Sequence, residues 1–233
     1  MRLKATTINR MAEIIHEQIR RKIQASRRIL LVTHLRPDGD AVGSLLGLGL
    51  ALRYVGKVVQ MVSPDGVPSS YRHLPGSQDV IQQPDGEVDM VIVLDCSDIQ
   101  RVGNALTDYG DPDLNLDHHI TNLNFAKINL VETKAVATAE MLAQYLPAWE
   151  LSITPDVAAA LLTGMITDTL GFRTSNMTPK VLRLAADLME AGAELSNLYL
   201  RALVQRSFEA MRFWGSGLSR LERKDKLSGL HYR

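Results

Sequence analysis

Four short segments of this chain concentrate side chains that can hold a metal ion or move a proton. His34-Leu-Arg-Pro37-Asp38-Gly39-Asp40 places one imidazole and two carboxylates on a single turn. Asp95 closes the apolar run Met90-Val-Ile-Val-Leu94. Asp117-His118-His119 follows a shorter apolar run, and Asp168 interrupts the apolar stretch Gly164-Met-Ile-Thr-Asp168-Thr169. Carboxylate and imidazole without thiolate suit hard divalent cations (manganese, magnesium, iron(II)) better than structural zinc. Two imidazole ligands tilt the choice from magnesium toward manganese. Asp38, Asp40, Asp95 and Asp168 together carry four negative charges. One divalent ion would leave such a cluster anionic and two would balance it, so the donor set points to a pair of metals.

Taken singly, each segment has an ordinary explanation. Pro37-Asp38-Gly39 is common turn chemistry. Asp95 at a strand end is a frequent turn or helix-cap residue. His118 and His119 alone could be surface histidines. Asp168 is harder to dismiss, because a lone carboxylate in apolar surroundings is costly unless paired or ligated. All four in this order, each in a suitable structural context, argue against coincidence. Cys96 reads as a small buried neighbour and not a ligand. Met165 and Leu161, at helical spacing, read as core.

The elements that must position these residues follow from the apolar patterning. Ile14, Ile15, Ile19 and Ile23 recur at helical spacing in the charged N-terminal segment. Strands are expected at 28–33, 57–63, 89–95 and 114–116, with a helix over about 41–54 and a turn-rich stretch over 64–84. The alternation predicts an α/β fold, a mostly parallel sheet with helices on both faces. Three of the four segments then fall at the carboxyl ends of strands, where open parallel sheets gather ligands. The second half reads as helical. Helices are expected at 135–146, 155–170 (Thr154 capping, Pro155 at the first position), 178 to Gly192, and 196–220. The tail, 221–233, is polar with a weak apolar rhythm.

Composition sets the outer limits. The 233 residues are 45% apolar and 22% charged, values of a chain with a real core and not a disordered one. Lys+Arg and Asp+Glu both number 26, so no overall basic charge advertises nucleic-acid binding, although one local anion site remains open. The single cysteine excludes an internal disulfide framework and a cysteine-rich zinc module. No apolar run approaches a membrane span, and the charged N-terminus lacks the core of a secretory signal. A cytoplasmic protein without a membrane partner is the expectation.

Together the motifs resemble the DHH phosphoesterase superfamily, named for the triplet seen here as Asp117-His118-His119. His34-x-x-Pro37-Asp38-Gly39-Asp40-x-x-Gly43-Ser44, Asp95, the triplet and Gly164-x-x-x-Asp168-Thr169 carry the resemblance. Within the superfamily the chain looks most like the nanoRNase/pAp-phosphatase group. Asp95-Cys-Ser-Asp98-x-x-Arg101-x-Gly103, His119-x-x-Asn122-x-x-Phe125, Thr138-Ala139-Glu140 and Gly171-Phe172-Arg173 fit that group. The resemblance covers roughly residues 10–225. It implies two Mn2+ ions, with Mg2+ or another divalent metal as substitutes. His34 and Asp38 would bind the first, Asp40, His118 and Asp168 the second, and Asp95 both. It implies an attacking hydroxide activated by the two metals, His119 facing substrate as phosphate contact or proton donor, and Asp117 orienting an imidazole. Asp95, Asp117 and His119 are thus the expected catalytic group. Arg101 and Arg173 are candidate phosphate clamps, although surface or helix-capping arginines would explain them equally well. Ser44, with Gly43, is a candidate substrate contact through close backbone approach, although tight helix–strand packing would explain the pair equally well.

The implied substrates are short single-stranded RNA and adenosine 3',5'-bisphosphate. Alternatives on the same scaffold are a cyclic or linear dinucleotide phosphodiesterase, a family II inorganic pyrophosphatase, or a nucleotide-binding module without turnover. The 33 residues before His34 count against the pyrophosphatase. Members of the group continue into a smaller C-terminal domain with a glycine-rich motif ending in histidine, and no Gly-Gly-Gly-His occurs here. The expected organisation is therefore a catalytic domain with its N-terminal helix over 1–195. A linker helix and the start of the smaller substrate-binding domain would occupy 196–233, the chain being an N-terminal fragment. A homodimer is left open.

Overall fold

Short apolar runs bounded by turn residues build a six-stranded, wholly parallel sheet. The computed structural model describes residues 2–224 and 227–230, with side chains from residue 13 to residue 221. The strands are β1 (Arg28–Val32), β2 (Val58–Val62), β3 (Val80–Ile81), β4 (Met90–Leu94), β5 (Leu114–Asp117) and β6 (Ile128–Val131), in spatial order β3-β2-β1-β4-β5-β6. The chain winds outward from β1 to β3, returns to place β4 on the other side of β1, and continues to β6. The reversal between β1 and β4 opens a crevice at their carboxyl ends. Central strands buried on both faces explain why β1 and β4 are nearly continuous in apolar residues instead of alternating. The strands β3 and β6 were not anticipated. The first is a two-residue edge pairing, and β6 is an edge strand with mostly half-buried residues, so neither carries a strong apolar signature.

The two faces are covered unequally. The helices α1 (Arg2–Ala25), α2 (Gly39–Tyr54), α3 (Thr138–Tyr145), α4 (Pro155–Asp168), α5 (Pro179–Glu190) and α6 (Leu195–Tyr199) contribute to the core on one face. There Leu31, Met61, Ile92 and Leu116 of the sheet meet Leu45, Leu48, Leu161 and Met165. The opposite face, with Leu30, Val32, Val91 and Val93, is covered by Cys96, Val102, Ala105 and Leu106 from a 3-10 turn (Ile99–Val102) and the loop after it.

Helix α2 is buried nearly all round. Gly39, Gly43 and Gly47 form a stripe against α4. A Cβ at Gly43 would stand 2.5 Å from the Ala160 carbonyl oxygen and 2.9 Å from the Gly164 nitrogen. Gly43 therefore lets two helix backbones touch, which differs from both expectations for it, a ligand approach and a helix–strand contact. At the other end of the seam a Cβ on Gly164 would meet Ala139 at 2.6 Å and Asp40 Oδ1 at 2.8 Å.

Thr154 and Thr178 cap α4 and α5 as their Thr-Pro signatures predict, each accepting a backbone N–H three residues on. The helix expected at 196–220 is broken. After α6 comes a π turn, Leu200–Val204, and then α7 (Phe208–Leu218), restarted by Ser207 accepting from the Ala210 N–H. The chain divides into two compact units, residues 1–203 and 204–233. In the second, α7 precedes the antiparallel pair β7 (Leu221–Lys224) and β8 (Leu227–Leu230). Of the tail, residues 225, 226 and 231–233 lie outside the described residues. Among the described residues no helix is long and apolar enough to cross a membrane.

Candidate metal centre

The crevice between β1 and β4 receives every one of the six residues singled out as metal ligands. His34 and Asp38 leave β1, Asp40 lies in the first turn of α2, Asp95 follows β4, His118 follows β5, and Asp168 ends α4. Ligand atoms of His34, Asp38 and Asp95 lie within 4.8 Å of one another, as do those of Asp40, His118 and Asp168. Asp95 faces both groups. Its Oδ2 is 3.7 Å from His34 Nε2, and its Oδ1 is 3.6 Å from His118 Nε2. His118 Nε2 is also 3.3 Å from Asp168 Oδ2 and 3.8 Å from Asp40 Oδ2.

Local chemistry fixes each donor. Asp38 caps α2, its Oδ1 accepting from the N–H groups of Asp40 and Ala41 at 3.1 and 3.0 Å. The ordinary turn-and-cap reading of Asp38 is thus also true, and its second oxygen remains for the group with His34. The ring of His34 donates from Nδ1 to the Leu35 carbonyl at 2.7 Å, and that of His118 to the Ala135 carbonyl at 3.3 Å. Both rings thereby present Nε2 to the carboxylates, the usual device for orienting a ligating imidazole. Asp95 itself holds a left-handed backbone, φ 53°, an angle tolerated by aspartate but uncommon outside glycine.

Asp40 is almost fully buried. The backbone N–H groups of Thr138 and Ala139, which open α3, donate to its two oxygens at 2.6 and 2.9 Å. The Thr138 hydroxyl donates to Asp95 Oδ1 at 3.0 Å. The positive end of α3 thus points at the carboxylate cluster. Glu140 accepts from the Val136 N–H at 2.7 Å and fixes the entry to the helix. The sequence flagged Thr138-Ala139-Glu140 without a role; the only local hint was threonine with an acidic residue at a helix start. Ser44, expected at the substrate, is fully buried and donates its hydroxyl to Asp40 Oδ1 at 3.3 Å. It braces Asp40 from behind and has no path to solvent, which corrects its assignment as a substrate contact.

His119 is unlike His118. Its Nδ1 donates to Asp117 Oδ1 at 2.7 Å, and it is 3.7 Å from Asp95. The nitrogen nearest the cluster is therefore occupied, although His119 lies close enough to group with Asp95 and His118. Arg101 is half-buried nearby, its backbone carbonyl accepting from the Leu35 N–H at 2.7 Å and its charge acting on both His34 and His119. Arg173 is exposed, with Nε donating to the Leu170 carbonyl at 2.9 Å. It follows three consecutive residues of positive φ, Leu170, Gly171 and Phe172. No ion pair of the cluster includes it among the described residues.

The electrostatics record a shortage of positive charge. Burial, then the charges of Asp95 and Asp168, push the Asp40 carboxyl well above the ordinary range. Burial likewise lifts Asp168 to about 6, the nearby His118 opposing and Asp95 reinforcing. Burial would lift Asp95 too, but its hydrogen bond with His34 and the adjacent His118 and His119 leave it lowered. Carboxylates that resist ionisation in a buried cluster, with two imidazoles aimed among them, are a donor set that fits divalent cations. The Cys96 thiol, buried behind them, is pushed up to about 12, first by desolvation, and remains an inert packing group.

The profile of the DHH family, N-terminal domain, matches residues 28–165. The chain belongs to the DHH family. In this DHH chain the matched segment runs from β1 into α4 and includes all the candidate ligands except Asp168. The bifunctional oligoribonuclease and PAP phosphatase NrnA of Thermus thermophilus is 37% identical over 175 residues, which are 73% of this chain and 52% of that protein. The protein of the same name from Bacillus subtilis is 30% identical over 186 residues, 77% of this chain and 58% of that one. The chain thus spans a little over half the length of these curated relatives. An exopolyphosphatase-related protein of Bacteroides fragilis shares the fold, with a TM-score of 0.82 at 23% identity over 91% of this chain and 66% of that structure.

A separate cleft, about 660 Å3, opens at the amino ends of the strands, lined by Asp85, Glu87, Asp89, Asp111 and Asp113. It holds no histidine, and Asp89 and Asp113 are occupied by the backbone N–H groups of Arg27, Arg28 and Val91. The His/Asp donor groups lie at the other end of the sheet.

Proposed function

We propose that this chain is a divalent-metal-dependent phosphoesterase that hydrolyses short oligoribonucleotides and nucleotides of the adenosine 3',5'-bisphosphate type, with two Mn2+ ions in the crevice. The observation that carries this reading is the pair of three-residue donor groups, His34/Asp38/Asp95 and Asp40/His118/Asp168, joined through Asp95. The activities for which the Thermus and Bacillus relatives are named suggest the substrate class. When bound, two divalent ions would supply Lewis acidity toward a phosphoryl group and lower the pKa of water between them.

The protein's own residues do the remainder. Asp40 is clamped by two backbone N–H groups and Asp95 by the Thr138 hydroxyl, so the donors are held before anything binds. His119 stands at the open side, its side chain 36% exposed, with Nε2 free of hydrogen-bond partners among the described residues. It donates a proton to the oxygen that leaves phosphorus. Arg101, within electrostatic reach of both His34 and His119, balances charge on the phosphoryl oxygens. Arg173 is a second clamp, drawn in from its exposed turn.

The test is a hydrolysis assay with an RNA dinucleotide, adenosine 3',5'-bisphosphate and pyrophosphate in parallel, at fixed salt, with manganese, magnesium or chelator. Manganese-dependent release of nucleoside monophosphate is expected. Preferential turnover of pyrophosphate, or chelator-resistant turnover of the dinucleotide, would overturn the reading.

A further inference from the structure

The loop after the Asp-His-His triplet is organised around one side chain that no role has been given. Asn122 Nδ2 lies 2.6 Å from Asp117 Oδ2, 2.7 Å from Asn115 Oδ1 and 3.2 Å from the Cys96 carbonyl. The orientation of this amide is fixed by its other end, where Oδ1 accepts the Asn124 N–H at 2.7 Å. Turned over, the amide would set an oxygen against three acceptors and a nitrogen against a donor. Asn124 has φ 53°, so this bond also holds the tight turn of the loop. Asn115 and Asp117 are fully buried, and Asn115 is itself anchored on the Cys96 carbonyl at 3.2 Å. Asp117 therefore has one oxygen for Asn122 and the other for His119 Nδ1, at 2.7 Å. A carboxylate with a single donor could rotate about its Cβ–Cγ bond; one with a donor on each oxygen cannot.

We propose that Asn122 is a positioning residue for leaving-group protonation: by locking the Asp117 carboxylate it holds the His119 ring with Nδ1–H inward and Nε2 toward the substrate. The inference rests on the phosphoesterase reading and adds to it a residue that touches neither metal nor substrate. As the P–O bond to the ribose oxygen breaks and the bond from the attacking hydroxide oxygen forms, the Nε2 proton passes to the ribose oxygen. The ring then regains a proton from solvent. Without Asn122 the ring is still present but its aim is lost, so the loss falls on substrates whose leaving oxygen needs a proton.

Asn122→Asp is nearly isosteric and keeps the acceptor for Asn124, but it offers an oxygen where Asp117 needs a donor. Asn122→Ala removes both ends and serves as the second variant should the first fold poorly. Hydrolysis of an RNA dinucleotide is compared with that of a bis(p-nitrophenyl) phosphodiester, whose leaving phenolate needs little help from an acid. Both variants are expected to lose about 10- to 100-fold in kcat on the dinucleotide, with KM changed less than about threefold, and under about threefold on the nitrophenyl ester. Manganese bound per chain should stay at the wild-type value. Equal losses on both esters, or none, would overturn the proposal.

A second measurement does not depend on turnover. In wild type the His119 Nδ1–H should give a sheltered downfield proton resonance, and both variants should lose it. Its persistence in either variant would sink the positioning role whatever the kinetics. If wild type hydrolyses no phosphodiester at all, the phosphoesterase reading fails, and this resonance still decides whether Asn122 holds the ring.

Discussion

Asp95 is the only candidate ligand that reaches both donor groups, and it sits on a left-handed backbone at the end of the central strand. Asp95→Asn keeps the shape and removes the charge, so it should weaken both ions together, where Asp38→Asn should affect one. Titration calorimetry with manganese would show the bound stoichiometry falling toward zero in the first variant; two ions still bound tightly would refute the shared role. The two adjacent histidines should separate in the same way. His118→Ala removes a ring aimed at Asp40, Asp95 and Asp168 and should cost about 10- to 100-fold in metal affinity. His119→Ala leaves those contacts in place and should retain metal while losing turnover. Equal metal loss in both would contradict the division. Residue types at this scale were legible in the sequence because the donors cluster on short segments at strand ends. What their neighbours do was not: Asp40 and Thr138 are 98 residues apart, and nothing local announces that one clamps the other.

Two elements set the geometry in which those residues act. The opening turn of α3 holds Asp40 and Asp95, and the contact between α2 and α4 sets the spacing of Asp40 and Asp168. Thr138→Val preserves volume and removes a buried donor to an anionic oxygen, a loss of about 1–3 kcal/mol at the carboxylate. It is expected to lower divalent-ion affinity while far-ultraviolet circular dichroism stays unchanged; unaltered affinity would mean the hydroxyl is incidental. Gly43→Ala should destabilise by about 1–3 kcal/mol, since the atoms in the way are backbone and cannot swing aside. Gly215→Ala, a helical site with open space around the new methyl, should be neutral or gain up to about 1 kcal/mol. Chemical denaturation of the pair measures the contrast. The apolar runs made β1, β2, β4 and β5 readable, with α2, α4 and α5. Edge strands escaped because a pairing as short as that of Val80 and Ile81 leaves no pattern, and the break before α7 escaped because only Ser207 marks it.

All members of both donor groups lie between His34 and Asp168, within the first compact unit. Metal binding is therefore expected of this chain as it stands, and it should stabilise the fold by mass action. At a free manganese concentration of about 100 times the dissociation constant the gain is near 2.7 kcal/mol per site, visible as a rise in Tm that chelator reverses. A Tm indifferent to manganese and to chelator would count against the centre. Acid stability is governed elsewhere as well. Burial would raise the Asp113 carboxyl, but the Val91 N–H, Lys127 and Lys22 outweigh it and hold the group below the ordinary value. A depressed carboxylate contributes stability above its unfolded pKa and loses it as pH falls through the folded one. Asp113→Asn should therefore lower Tm at neutral pH, with the gap to wild type closing below about pH 4, where the unfolded-state carboxyl begins to protonate. A gap independent of pH would assign the loss to packing.

The glycine seam between α2 and α4 has a consequence for how this centre could change by descent. Most active sites drift through substitutions that add or remove a methylene and are tolerated on the way. Here the separation of Asp40 from Asp168 is set by backbone lying on backbone, and hydrogen is the smallest side chain there is. No intermediate exists between Gly43 and a residue that forces the helices apart, so a lineage cannot retune the width of the site by small steps. Side chains at the crevice mouth are under no such constraint: Leu35, Ile120, Leu123 and Leu170 stand exposed there, and a change of size at any of them meets solvent and not a second backbone.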